Sequence, residues 1–325
     1  MIKCVSCILA WLCPNYVLLN KSFYILHLTN RMYIIKYGIY KSYNLLNINC
    51  KYGRYDIVKV LIENRANVHD NNYVLGVACK YGHYYIVKSL IENGVDIHAN
   101  DDVGLRYACE NGHYDIVKLL LEDGANIHAR NDYPLLWASF NNHHNVVKLL
   151  IENGANVRVN NDEALRWASN HDYYDIVKLL IENGANIHVN DDHVLQWASK
   201  YGRCNIVKLL IENGANIHAN DDAALQWASE NGHYSIVKFL IENGAYIYAE
   251  NNYALRYASR NGHYSIVKLL IENGANMCAE NDYALRWACN NNHRNVVNLL
   301  IENGAGKHAN EYTPEWHSKM VITTL

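Results

Sequence analysis

The run Ile116-Val117-Lys118-Leu119-Leu120-Leu121-Glu122-Asp123-Gly124-Ala125-Asn126 decides the fold, because it keeps returning. The same register restarts at Ile86, Val146, Ile176, Ile206, Ile236, Ile266 and Val296, at a step of 30 residues, and once more at Ile57, 29 residues before Ile86. Self-similarity at a fixed step of this size marks a repeat architecture, in which each unit is one supersecondary element stacked on its neighbours. Nine copies occupy residues 42–310. A tenth starts at Thr313-Pro314 and is abandoned, so residues 311–325 read as a half-repeat cap.

One unit, residues 101–130, predicts two short helices and a turn. Asp101-Asp102 offers an N-cap carboxylate, and Leu105, Tyr107, Ala108 and Cys109 form an apolar stripe that Asn111-Gly112 breaks. A second helix runs from about Tyr114 to Glu122, with Ile116, Val117, Leu119, Leu120 and Leu121 inward, and ends at Gly124, a residue type that caps helices in the left-handed conformation. Pro134 and Pro314 share one register at the start of the first helix, where proline is tolerated. Helices this short do not persist alone in water, so stacking is obligatory. Leu121, Ala108 and their equivalents, with an aromatic row at Tyr107, Trp137, Trp167, Trp197, Trp227, Tyr257 and Trp287, are expected to fill the core between layers. On that reading, truncating Trp197 costs about 3–5 kcal/mol. A stacking platform for bases or sugars is the other reading of the row.

The unit resembles the ankyrin repeat, whose pattern of about 33 residues has a T-P-L-H-like helix start, a Gly-His between the helices, I-V-x-L-L-L and then Gly-Ala. Gly82-His83, Gly112-His113, Gly232-His233 and Gly262-His263 match, while Tyr283-Ala284-Leu285-Arg286 departs from the helix start. The missing residues fall between Ala125 and Leu135, where the family carries a β-hairpin finger. The resemblance therefore implies an all-α ankyrin-repeat solenoid with shortened β-hairpin fingers, and histidines that brace turns. Near-identical 30-residue units rich in Asn, Ile and Tyr are also similar to ankyrin repeat proteins of giant DNA viruses.

Composition narrows the function. The 325 residues are 50% hydrophobic and carry 29 Lys plus Arg against 32 Asp plus Glu, a net charge of -3, which gives no basic field for nucleic acid. Nine cysteines, with Cys4 and Cys7 alone as a CxxC pair, form no disulfide or zinc framework and imply reduced thiols in the cytoplasm. Val5 to Leu19 has the outline of a signal peptide, but Pro14-Asn15 interrupts it, so secretion is not expected. No other stretch approaches the roughly 20 apolar residues of a membrane helix. Residues 1–41 read as a decayed repeat or cap, an anchoring segment or a wrongly chosen start.

The histidine column His69, His98, His128, His188, His218 and His308 cannot share one ion, because stacked helices lie about 8–10 Å apart whereas zinc ligands sit about 2 Å from the metal. No metal or other cofactor is expected. Cys79, Cys109 and Cys289 alternate with Ser139, Ser169, Ser199, Ser229 and Ser259, a slot for any small side chain, and no phosphate-binding glycine loop occurs. An enzyme and a small-molecule substrate are therefore not expected. Rows of Lys from Lys59 to Lys268 and of Glu four residues on read as a solvated face.

What remains is where the copies differ. Tyr73, Arg106, Tyr133, Glu163, Arg166, His193, Tyr253, Arg256, Tyr283 and Arg286 occupy the sites that line the partner-binding concave face in the ankyrin family, although drift would also produce such variation. Tyr and Arg are favoured at interface hot spots. The expected function is a non-enzymatic scaffold binding a protein partner, a host protein if the viral resemblance holds. The alternative is a substrate-recognition adaptor for a ubiquitin ligase, although too few residues follow the last repeat for an F-box. Changing Tyr133, Arg166, Tyr253 and Arg286 together is expected to abolish capture and leave melting unchanged.

Overall fold

The helices alone do not set the geometry of a unit; three kinds of turn do. The computed structural model describes residues 46–63 and 73–306. The expectations for residues 1–41 and 311–325, and for His69, His308, Pro314, Cys4 and Cys7, lie outside them.

The first turn closes the second helix. Gly154 takes φ 94°, its N–H donates to Ile151 O and that of Ala155 to Leu150 O, so the orphan carbonyls of the last helical turn are satisfied. The side chain before the glycine joins in, since Asn153 Nδ2 donates to Leu149 O at 2.8 Å. The same bond recurs at Asn93, Asn183, Asn213, Asn243, Asn273 and Asn303.

The second turn joins the helices of a pair and ties it to the previous pair. His263 Nε2 lies 2.9 Å from Glu230 O, and its ring fills the space a Cβ on Gly232 would need, 2.8 Å from that position. His83 on Gly53, His113 on Gly82, His233 on Gly202 and His293 on Gly262 repeat this fit. Where Asn142 and Asp172 replace the glycine, the next unit has Tyr173 and Arg203 instead of histidine, and Arg203 donates to Asn170 O.

The third turn corrects the expected finger. Among the described residues there is no strand. In place of a hairpin, three consecutive residues such as Asn190, Asp191 and Asp192 hold φ of 50°, 55° and 56°, a full left-handed turn before the first helix. Each such residue costs about 1–2 kcal/mol, least for Asn and Asp, which explains the Asn- and Asp-rich segments at 100–102, 160–162, 190–192 and 220–222. Asp192 is not a helix cap. It is buried, and its Oδ1 accepts the backbone N–H of Asn216 at 2.9 Å, one unit on, beside His188 Nδ1 at 3.1 Å. Asp102, Asp132, Asp162, Asp222 and Asn252 do the same to the N–H 24 residues later.

These turns stack helix pairs within two compact units that divide between Asn126 and Ile127. In the first, α1 (Tyr55–Glu63), α3 (Tyr84–Glu92) and α5 (Tyr114–Glu122) form one layer, and α2 (Val74–Lys80) packs on α4 (Ala99–Glu110). In the second, the first helices α6 (Ala129–Phe140), α8 (Val159–Asn170), α10 (Val189–Lys200), α12 (Ala219–Glu230), α14 (Ala249–Arg260) and α16 (Ala279–Asn290) pack in succession. So do the second helices α7 (His144–Glu152), α9 (Tyr174–Glu182), α11 (Cys204–Glu212), α13 (Tyr234–Glu242), α15 (Tyr264–Glu272) and α17 (Arg294–Glu302).

Leu165, Ala168, Ile176, Val177 and Leu180 are fully buried and make one layer of the core. Leu121, expected there, is only half-buried. The aromatic row is not core either: Tyr107, Trp137, Trp197, Trp227, Tyr257 and Trp287 are half-buried and Trp167 is 40% exposed. A stripe wide enough for Leu, Ala and a small residue is already closed by Leu165, Ala168 and Ser169 and their equivalents. The large rings are left at its edge.

Candidate partner-binding surface

The aromatic row and the variable positions meet on the first helices. Within residues 127–325, α6, α8, α10, α14 and α16 carry Tyr133, Glu163, Arg166, His193, Tyr253, Arg256, Tyr283 and Arg286, all partly exposed. Tyr73, 53% exposed, and Arg106 belong to the other unit.

The arginine register does something sequence did not indicate. Arg106 is buried, and its Nε and Nη2 donate to the carbonyls of Asp101 and Asn100 in the left-handed turn. Arg166 holds Asn161 O and Asn160 O, and Arg286 holds Asn281 O and Glu280 O. Gln196 and Gln226 reach the equivalent carbonyls of Asp191 and Asp221. In the left-handed turn the planar guanidinium fork satisfies two successive carbonyls together. These side chains are built into the scaffold first. The expectation that replacing Arg166 and Arg286 leaves melting unchanged is therefore corrected.

The rings form chains instead of isolated contacts. Tyr133, Trp137, Phe140, Trp167, His171 and Tyr173 follow one another at centroid distances of 5.2, 5.8, 4.6, 4.4 and 5.7 Å. His193, Trp197 and Tyr201 make a second run, with Lys200 Nζ 4.3 Å from the Trp227 centroid. Burial and the Arg166 charge hold the His193 imidazole below its usual range. Tyr253 stacks on Tyr257 at 3.9 Å, and Tyr283 lies against Trp287. Phe140, Lys200 and Arg260 were missed by sequence reasoning. The signal existed: the register 110, 140, 170, 200, 230, 260, 290 reads Glu, Phe, Asn, Lys, Glu, Arg, Asn, as variable as the one chosen.

The remaining candidates for chemistry are structural. His98, His128, His188 and His218 each sit beside the buried aspartate four residues on. Among the described residues no group of His, Cys, Asp or Glu could hold a metal ion. Burial pushes the Cys50 thiol up to about 12 and also raises those of Cys79 and Cys109, which disfavours their thiolate forms. Lys148, Lys178, Lys238 and Lys268 approach their glutamates at 3.8 to 4.0 Å, all more than half exposed, as a solvated face requires.

Helix pair, Gly-His joint and glycine cap recur in register, and a family model described as ankyrin repeats (3 copies) matches residues 25–101, 46–131, 105–191, 191–251 and 225–312. The chain belongs to the ankyrin repeat family. The crystal structure of the human ASB11 ankyrin repeat domain matches this ankyrin array with a TM-score of 0.55 at 25% identity, over 62% of this chain and 98% of that one. No curated protein matches the sequence. Ankyrin repeats are generally protein-interaction modules, and among the described residues no helix is long and apolar enough to cross a membrane.

Proposed function

We propose that this ankyrin array is a non-enzymatic scaffold that binds a protein partner through the first-helix face of residues 127–325. The observation that carries the reading is the run of partly exposed rings from Tyr133 to Tyr173 and from Tyr253 to Trp287. Each ring is held by its neighbours, so little side-chain entropy is lost on contact. Large, rigid, amphipathic rings are the residues that dominate interface energetics. Tyr133, Glu163, His193, Tyr253 and Tyr283 are proposed as contact residues. Arg106 is withdrawn from that set by its burial, while Arg166, Arg256 and Arg286 serve the turns as well. The likeness of the Asn-, Ile- and Tyr-rich units to those of giant DNA viruses supports a host protein as the partner.

The test is affinity capture with Trp167→Ala, which removes the most exposed indole of the row. Capture of a defined partner should fall by at least about tenfold, as hot-spot truncation does, with melting nearly unchanged. Full capture by the variant would move the binding surface elsewhere. Recovery of ligase subunits that depends on residues 1–41 would establish the adaptor reading in its place.

A further inference from the structure

The first-helix face changes character on α14 and α16. Arg260 lies 5.5 Å from the Tyr257 ring centroid and 4.5 Å from that of Trp287, while Arg256 and Arg286 lie 5.0 and 5.8 Å from that of Tyr283. Tyr257 is also covered by Tyr253, nearly parallel at 11°. Ring faces here carry a guanidinium carbon or another ring. What remains for a ligand is the whole N–H edge of Arg260 and the Nη1 groups of Arg256 and Arg286, whose other nitrogens serve the turns or are buried.

Those edges are not neutralised within the protein. Arg256 Nη2 donates to Glu250 O, and Arg286 donates to Asn281 O and Glu280 O, all of them carbonyls and none a carboxylate. Arg260 makes no side-chain hydrogen bond or ion pair among the described residues; the aromatic rings are its contacts. Glu230 Oε2 accepts the Tyr253 hydroxyl at 3.0 Å and Glu280 Oε1 accepts Asn251 Nδ2 at 2.7 Å, and among the described residues neither these carboxylates nor that of Glu250 makes an ion pair with the three arginines. By contrast, Lys238 and Lys268 on the second helices each have a glutamate four residues on. Three partly exposed cations without ion-pair partners thus sit on two adjacent helices of a chain whose net charge is -3.

We infer that this patch docks an acidic segment of the partner protein, its Asp or Glu carboxylates received chiefly by Arg260, one helical turn beyond Arg256; the inference rests on the protein-binding reading above. A guanidinium packed over an aromatic ring is preorganised and weakly hydrated, and its fork matches a carboxylate in bidentate fashion. Single-stranded nucleic acid fits less well, because base stacking needs open ring faces and these are covered.

The experiment has two arms on the full chain. A random peptide library selected on the immobilised protein should enrich sequences rich in Asp and Glu. By fluorescence anisotropy, a labelled peptide of alternating Glu and Gly should bind, and its Gln-Gly counterpart and a labelled oligouridylate should not. Arg260→Gln should weaken the acidic peptide by about tenfold or more, Arg260→Lys less, and added salt should weaken it too. Arg260 holds no turn carbonyl, so both variants should melt like the parent; were Arg260→Gln unstable, Arg260→Lys and the salt series decide. Enrichment of neutral or basic peptides, oligouridylate binding of equal strength, or acidic-peptide binding insensitive to Arg260 and to salt would overturn the inference while leaving protein binding in place. A library yielding no binder, together with capture insensitive to Trp167→Ala, would remove the protein-binding reading itself.

Discussion

At the scale of single residues, the side chains that matter most to the stack are those whose neighbours leave no room for alternatives. Gly232 combines φ 82° with a His263 ring where its Cβ would go. Gly232→Ala should therefore destabilise the array by about 1–3 kcal/mol, from left-handed strain and displacement of the ring. In a double-mutant cycle with His263→Ala, measured by urea unfolding, the double variant should be less destabilised than the sum of the singles. Ser199 presents the reverse case. Its buried hydroxyl has no hydrogen-bond partner, so Ser199→Ala should be neutral or stabilise by up to about 1 kcal/mol. A loss of more than that would show that a water or the Leu195 carbonyl satisfies it, as Leu135 O satisfies Ser139.

At the scale of an element, the left-handed turn ties one repeat to the next through Asp192 and its equivalents. Asp192→Ala strands the backbone N–H of Asn216 in a partly buried site and should cost about 1–3 kcal/mol. Asp192→Asn should cost much less, because Asn252 already fills the equivalent role toward Asn276 N–H at 2.8 Å. Thermal melts of the two variants, compared with the parent, check both. The same element marks the limit of what was readable. Helix pairs were legible because 3.6-residue periodicity, Gly caps and Gly-His joints are local signals. The bond from Asp192 to Asn216 spans 24 residues, and Asn-Asp-Asp before a helix reads locally as an N-cap. Arg166 was legible as a variable polar residue, and only the carbonyls of Asn160 and Asn161 reveal its second task. Trp167 was placed in the core on size alone, whereas the slot beside it is already closed by Ala168 and Leu165.

At the scale of the molecule, the Gly-His joints and the bonds from Asp192 and its equivalents connect a residue to the same partner type one step on. Stability is then roughly a sum of unit and neighbour terms. Deleting residues 233–262 sets Gly232 before His263 and presents that histidine to Gly202, so every joint type is restored. The shortened chain should keep its helical circular dichroism per residue and lose one unit's share of unfolding free energy. A deletion of about half that length should abolish cooperative unfolding by leaving unmatched joints. Thiol labelling followed by mass spectrometry reports the same sum. Cys278, exposed, should react at once in the folded protein, while Cys79, Cys109 and Cys289 should react only as their own layers open.

The asparagine side chains described at the helix ends carry a further consequence, for the chemical lifetime of the chain. The sequence contains ten Asn-Gly dipeptides, at 93, 111, 153, 183, 213, 231, 243, 261, 273 and 303, the pairing most open to succinimide formation, because glycine does not hinder attack of its nitrogen on the asparagine amide. In the folded protein all ten side-chain amides donate to a main-chain carbonyl. The glycine nitrogens at 94, 154, 184, 214, 244, 274 and 304 donate to carbonyls of their own. Both reactants are thus turned away from each other. Folding protects the backbone from ageing at the sites where its sequence is most vulnerable, and a unit that frays should deamidate first at its own Asn-Gly pairs, losing ammonia as the succinimide forms.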